Sequence, residues 1–147
     1  MHSFSPSNSS SVKDIIGDMV DAPPPNLLDD LQALIRQPSM SSTGEGLEKC
    51  ANLIAKIMLK NGIASELLYL DDRSAPIVYA ERKSKKNPDG RTLLFYNHYD
   101  VQPVEPYDQW REHPFSGTIK GNRIFGRGSA DDKGELMIRI SAIGDLI

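Results

Sequence analysis

Leu93-Leu94-Phe95-Tyr96, running into Asn97-His98-Tyr99-Asp100, is the stretch on which the fold turns. Four apolar residues in a row suit a strand buried on both faces, and the polar residues begin where such a strand would end. Open α/β sheets place their ligands at that end of their strands. His98 and Asp100 lie two apart, so in an extended chain their side chains leave the same face, roughly 6.5 Å apart at the backbone. One is then placed to bind a metal while the other orients the site. Further on stands Gly126-Arg127-Gly128-Ser129-Ala130-Asp131-Asp132-Lys133-Gly134. The two stretches together read as half of a metal-hydrolase site.

Outward from this point, Leu27, Leu28, Leu31, Leu34 and Ile35 recur at helical spacing until Pro38 ends the pattern. A second helix follows, with Leu47, Ala51, Ile54 and Met58 on one face and Asn61-Gly62 as its stop. Residues 65–69 and 76–81 are predicted strands, and Asn87-Pro88-Asp89-Gly90 turns the chain into the apolar stretch. Gly121-Asn122, between Thr118-Ile119 and Ile124-Phe125, predicts a short hairpin delivering the Gly-Arg-Gly loop. Past Asp132 the chain places Leu136, Ile140, Ile143 and Ile147 on one helical face. No stop signal follows Ile147, so the sequence reads as cut there, an N-terminal fragment. At the other end, Met1 to about Val12 is expected to be disordered, and a weak helical stretch from Lys13 to Val20 gives way to Pro23-Pro24-Pro25.

The 147 residues suit one domain, and 39% hydrophobic with 25% charged residues is ordinary globular composition. A net charge of −3 gives no electrostatic footprint for nucleic acid. The Arg82, Lys83, Lys85, Lys86 cluster reads as a solvated loop. Cys50 is the only cysteine, so no internal disulfide forms and a reducing, cytoplasmic compartment is the default. The Ser-rich start has no apolar core, so neither a signal peptide nor a membrane anchor is expected.

Several motifs occur in order and at suitable spacing: His98-Tyr99-Asp100-Val101-Gln102-Pro103, Trp110, Pro114-Phe115, and Gly126-Arg127-Gly128 leading into Asp131-Asp132-Lys133-Gly134. Together they resemble the dinuclear zinc peptidases, the family of carnosinase-like dipeptidases, acetylornithine deacetylase, succinyl-diaminopimelate desuccinylase and carboxypeptidase G. The resemblance starts near residue 27, where Ile35-Arg36-Gln37-Pro38-Ser39 looks like the family's first helix and the Pro-Ser turn after it, and runs to the last residue. It implies an α/β fold: residues 26–147 as the N-terminal portion of a catalytic domain with a central mixed sheet flanked by helices, and 1–25 as an extension.

The resemblance also implies roles. His98 is a terminal ligand of one metal, Asp131 bridges two metals, and Asp100 is a catalytic residue that accepts from the ring N–H of His98. The cofactor implied is a pair of divalent ions, zinc in the first place, with manganese or cobalt as alternatives. The family carries a cis peptide at its bridging aspartate, here Asp131-Asp132. Its general-base glutamate and remaining ligands lie outside this chain, and its full-length members suggest a homodimer. Val101-Gln102-Pro103 and the Asp131-Asp132 pair lean toward a dipeptidase acting on small peptides. An N-acyl amino acid deacylase is the runner-up, and a non-catalytic truncated piece is the alternative of another class. Two ligand candidates cannot hold two metals, so the chain alone is expected to be inactive and to bind metal weakly.

Taken singly, each residue has a plainer reading. His98 alone reads as a strand-end histidine satisfied by the backbone. Asp100 reads as a turn former before Pro103, and Asp131 or Asp132 as a helix cap, the role to which Asp132 is left. Gly126 and Gly128 suit a tight turn as well as a close backbone approach. Trp110, Pro114 and Phe115 read as a core or loop anchor, with lining of the substrate cleft as the alternative. Arg127 either bonds carbonyls or pairs with a carboxylate. Ser129 stands outside any nucleophile elbow, and His113 falls where the family pattern has no ligand. The joint occurrence of the motifs is what favours a metal role for His98 and Asp131.

Overall fold

Helix α1 (Leu27–Arg36) buries Leu31, Leu34 and Ile35 along one stripe, with Asp29 and Asp30 in its first turn and Arg36 in its last, charges that complement the helix dipole. It stops at Gln37, which turns to extended geometry ahead of Pro38. The structure, a computed structural model, describes residues 26–72, 74–84 and 89–146. The extension expected over 1–25, the turn at Asn87-Pro88 and the apolar Ile147 lie outside the described residues.

Helix α2 (Leu47–Lys60) buries Cys50, Ala51, Ile54 and Ile57 against α1 and ends at Asn61 and Gly62, where a φ of 74° reverses the chain. Its Lys60 Nζ pairs with Asp30 of α1 at 2.7 Å. Strands β1 (Glu66–Leu68) and β2 (Ile77–Tyr79) form an antiparallel ladder with Leu67 opposite Val78, packed beside α2. Strands β3 (Thr118–Lys120) and β4 (Arg123–Phe125) form the expected hairpin around Gly121. Helix α3 (Lys133–Leu146) lies across α1. One core joins the three helices: Leu31, Leu34, Ile35, Cys50, Ile54, Ile57, Met137 and Ile140, with Ile63 at its edge. No helix among the described residues is long and apolar enough to cross a membrane.

The α/β class stands, but two details differ from the sequence reading. Among the described residues the strands make two separate two-stranded ladders, and no strand pairs with 91–96. Leu93, Leu94 and Tyr96 are 80%, 91% and 84% exposed. A buried central strand needs neighbours on both edges and both faces, and none of the described elements supplies them. The inner face of α3 is also rotated from the expected one: Lys133, Gly134, Met137, Ile140 and Ser141 are buried, while Leu136 and Ile143 are only partly so.

Candidate metal centre

Two short arms converge on the site, and each is held by α1 or the turn after it. The first is 97–101. Ser39, fully buried in the turn behind Pro38, donates from Oγ to the Tyr99 carbonyl at 2.6 Å, and its own carbonyl accepts from the Val101 N–H at 2.8 Å. Met40 and Val101 complete a parallel bridge there. Tyr99 also donates its hydroxyl to the Pro76 carbonyl at 2.6 Å, beside β2. Burial, with the nearby charges of Cys50, Asp100 and Tyr69 adding to it, pushes the Tyr99 phenol up to about 12.

The second arm is the turn over 126–132, which must come close to the first. A Cβ on Gly128, whose φ is 84°, would sit 2.9 Å from Val101 Cγ1, and a Cβ on Gly134 would sit 2.1 Å from the Ser129 carbonyl oxygen. Only glycine lets the two arms and the start of α3 approach this closely. Lys133 then locks the turn to α1. Its Nζ is buried and donates to the Leu34 and Gln37 carbonyls at 2.9 and 2.7 Å, closing the last turn of α1 with a cation where the dipole favours one.

The His98 ring stands between the arms. Its Nδ1 donates to Asp100 Oδ1 and to the Asp100 carbonyl, each at 3.1 Å, while Nε2 faces Asp131 Oδ1 at 3.0 Å. Burial favours the neutral ring and is the largest single influence. The bond to Asp131, the Asp100 carbonyl and the charges of Asp100 and Asp132 together outweigh it, so the imidazole titrates above its ordinary value. An environment that favours an imidazolium also favours a bound cation at Nε2. The Asp131 side chain is 89% exposed and open to a further partner.

These donors suit a divalent ion. Two ligand atoms each about 2.0–2.2 Å from one ion stand close to the 3.0 Å observed between Nε2 and Oδ1, and the carboxylate on Nδ1 leaves Nε2 as the free ligand. They would make one edge of a coordination shell. Among the described residues no three His, Cys, Asp or Glu side chains gather tightly enough to hold an ion.

A cavity of about 360 Å³ opens over this edge, walled by His98, Asp100, Trp110, Arg127, Ser129 and Asp131. Trp110 donates Nε1 to the Val104 carbonyl at 2.7 Å and carries the Arg127 guanidinium 4.8 Å above its ring. Arg127 bonds the Pro103 carbonyl at 2.9 Å, so it holds the loop through carbonyls, while its Nε is buried without a partner. Trp110 thus borders the cavity as well as anchoring the loop. His113 stands apart, accepting from the Phe115 N–H at 3.2 Å.

The peptide between Asp131 and Asp132 is cis, as expected. Asp132 does more than cap. Its carbonyl accepts the first helical bond, from the Leu136 N–H at 2.9 Å, but its carboxylate reaches across to the other arm, accepting from Asn97 Nδ2 at 2.8 Å and the His98 N–H at 3.0 Å. Asp132 and Lys133 are the two residues that sequence reasoning missed. Their partners lie far away in sequence, at Asn97 and His98 and at Leu34 and Gln37, and no local pattern signals them.

Residues 94–147 match the family model for Peptidase family M20/M25/M40. Over 116 residues, 78% of this chain and 30% of the relative, the sequence is 30% identical to a succinyl-diaminopimelate desuccinylase of Cupriavidus necator. Over 58 residues, 39% of this chain and 12% of the relative, it is 50% identical to the Cys-Gly metallodipeptidase dug1 of Schizosaccharomyces pombe. Among solved structures, the M20 family metallo-carboxypeptidase Sso-CP2 from Sulfolobus solfataricus superposes with a TM-score of 0.74 at 42% identity, covering 82% of this chain and 26% of that one. The chain therefore spans less than a third of the length of the relatives it matches.

Proposed function

From the match of residues 94–147 to peptidase family M20/M25/M40, we propose that the chain carries part of the metal centre of a hydrolase that cleaves dipeptides. The observation that carries this reading is the His98 ring, held by Asp100 on one nitrogen and facing Asp131 on the other. His98 would ligate through Nε2, and Asp131 would bridge two divalent ions, zinc in the first place. Such ions, when bound, lower the pKa of a water toward about 7 and polarise the scissile carbonyl.

The chain's own residues do the positioning. Asp100 fixes the His98 tautomer and ring plane and raises the basicity of the ligand nitrogen. Arg127 and Trp110 stiffen the wall of the cavity in which a small peptide would lie. Among the described residues no carboxylate besides Asp100 and Asp131 lines that cavity, so general-base proton transfer is assigned to none of them. The 50% identity to a metallodipeptidase supports dipeptides as substrates. The likeness to desuccinylases, which extends over more of the chain, favours an N-acyl amino acid as the second reading. The lone buried Cys50 suits a reducing, cytoplasmic setting.

Zinc binding to the full chain, measured by calorimetry, tests the assignment. His98→Ala and Asp131→Ala should each lose bound zinc, while Asp100→Ala should keep the ligand but bind about 10- to 100-fold more weakly. The same 147-residue chain should bind zinc only weakly and turn over neither dipeptides nor N-succinyl amino acids. Zinc held as tightly by His98→Ala as by the unaltered chain, or chelator-sensitive turnover by that variant, would mean the site lies elsewhere.

A further inference from the structure

Resting on the metal reading of His98 and Asp131, we propose that Asp132 is a positioning residue for that site, setting where the His98 ring stands by gripping the backbone of His98 and the side chain of Asn97. Asp132 Oδ2 accepts both bonds, at 3.0 Å from the His98 N–H and 2.8 Å from Asn97 Nδ2. Asp132 follows directly on Asp131, so the step of chain that presents one metal donor also fixes the main chain of the other.

The anchor is stiff at its own end. The Asp132 main chain is held by the first turn of α3 through the Leu136 N–H, and the next residue, Lys133, is clamped to the end of α1. The half-buried carboxylate sits at the amino end of α3, where the dipole favours a negative charge. An ordinary cap would spend its carboxylate on N–H groups of its own helix. This one reaches a segment 34 and 35 residues earlier. Ser39 and Tyr99 tie that segment independently at Tyr99 and Val101, so they hold the arm in place, while Asp132 sets the one backbone group that aims the His98 ring at Asp131. Productive sites need such aim to within about 0.5 Å and 10–20°.

Cobalt(II) alone is the probe, titrated into the full chain and followed by its visible absorption bands. Asp132→Ala should bind cobalt about 10- to 100-fold more weakly, with shifted bands. Asp132→Asn keeps an acceptor oxygen and should recover most of the affinity and the original bands. Asn97→Ala leaves the His98 N–H bond in place and should lose less than Asp132→Ala. A lowered melting temperature with affinity and bands unchanged would make Asp132 a structural residue only and overturn the proposal. Should Asp132→Ala fail to fold, Asp132→Glu decides, because it keeps the charge but moves the carboxylate outward by a methylene: shifted bands support the proposal and unshifted bands overturn it. His98→Ala separates the two readings. If it binds cobalt normally, the metal assignment has failed; if it loses the ion while Asp132→Ala keeps it unchanged, only the positioning role has.

Discussion

Residues 91–96 and 97–101 are neighbours in the chain and opposites in the fold. The first group carries the apolar run Leu93-Leu94-Phe95-Tyr96 and stands open to solvent, with no paired strand among the described residues. The second is mostly polar, with Val101 buried and Tyr99 packed against the core, and it is held by Ser39, by Tyr99 on Pro76 and by Asp132. An apolar run alone therefore does not order the site. Hydrogen bonds to buried or helix-anchored groups do, because an extended segment gains order only where its backbone donors and acceptors find fixed partners.

The sharpest way to break this contrast is to disturb each side in turn. Gly134→Ala drives a Cβ to 2.1 Å from the Ser129 carbonyl oxygen, a backbone atom that cannot swing aside. It should cost about 3 kcal/mol, at the upper end of overpacking penalties. Leu94→Ser, on a side chain 91% exposed, should change stability by less than about 0.5 kcal/mol. Urea unfolding of both variants checks this. Comparable losses would mean that 91–96 is packed in solution and that the site owes its order to the strand after all.

The same contrast explains what was legible in the sequence. Helix α1 was legible because Leu31, Leu34 and Ile35 face one way and Pro38 forbids continuation. The hairpin at Gly121 was legible because turn chemistry is local. Within the site, the shared face of His98 and Asp100 was legible in their spacing, their meeting with Asp131 was implied by the family resemblance that the motifs carry, and the geometry brings all three together. The buried face of α3 was not, because Lys133, Gly134 and Ser141 occupy it and a pattern of apolar residues looks past them. Asp132 was misjudged for a related reason: an aspartate ahead of a helix looks like a cap, and only the folded chain brings Asn97 to it. The apolar run at Leu93 promised a buried strand, but burial depends on neighbours that a local pattern does not contain.

A smaller effect sharpens the helix side of the comparison. Lys133→Met removes the ammonium that closes the last turn of α1 and leaves the Leu34 and Gln37 carbonyls without their donor. Relief of a buried charge offsets part of the loss, but unsatisfied buried acceptors cost about 1–3 kcal/mol, and a net destabilisation in that range is expected. An unchanged or raised melting temperature would show that the clamp contributes nothing and that apolar packing alone joins α3 to α1.

The smallest effect lies in pH. Burial pushes the Cys50 thiol above its ordinary 9.0, against the opposing pull of the Lys133 charge and the Ser39 hydrogen bond. Burial pushes the Lys133 ammonium below its ordinary 10.5, against the Cys50 charge. The two linkages have opposite signs. As pH rises past 9.0 the unfolded thiol loses its proton while the native one keeps it, so this contribution to stability falls. Between its lowered native value and 10.5, Lys133 binds fewer protons in the fold than unfolded, so its contribution rises with pH. Each slope is bounded by about 1.4 kcal/mol per pH unit. Urea unfolding at pH 8 and pH 10 separates them. Relative to the unaltered chain, Cys50→Ala should gain stability on going to pH 10 and Lys133→Met should lose it. If both variants keep the original pH dependence, water reaches this pair, and the junction between α2 and α3 is as open as the 91–96 run.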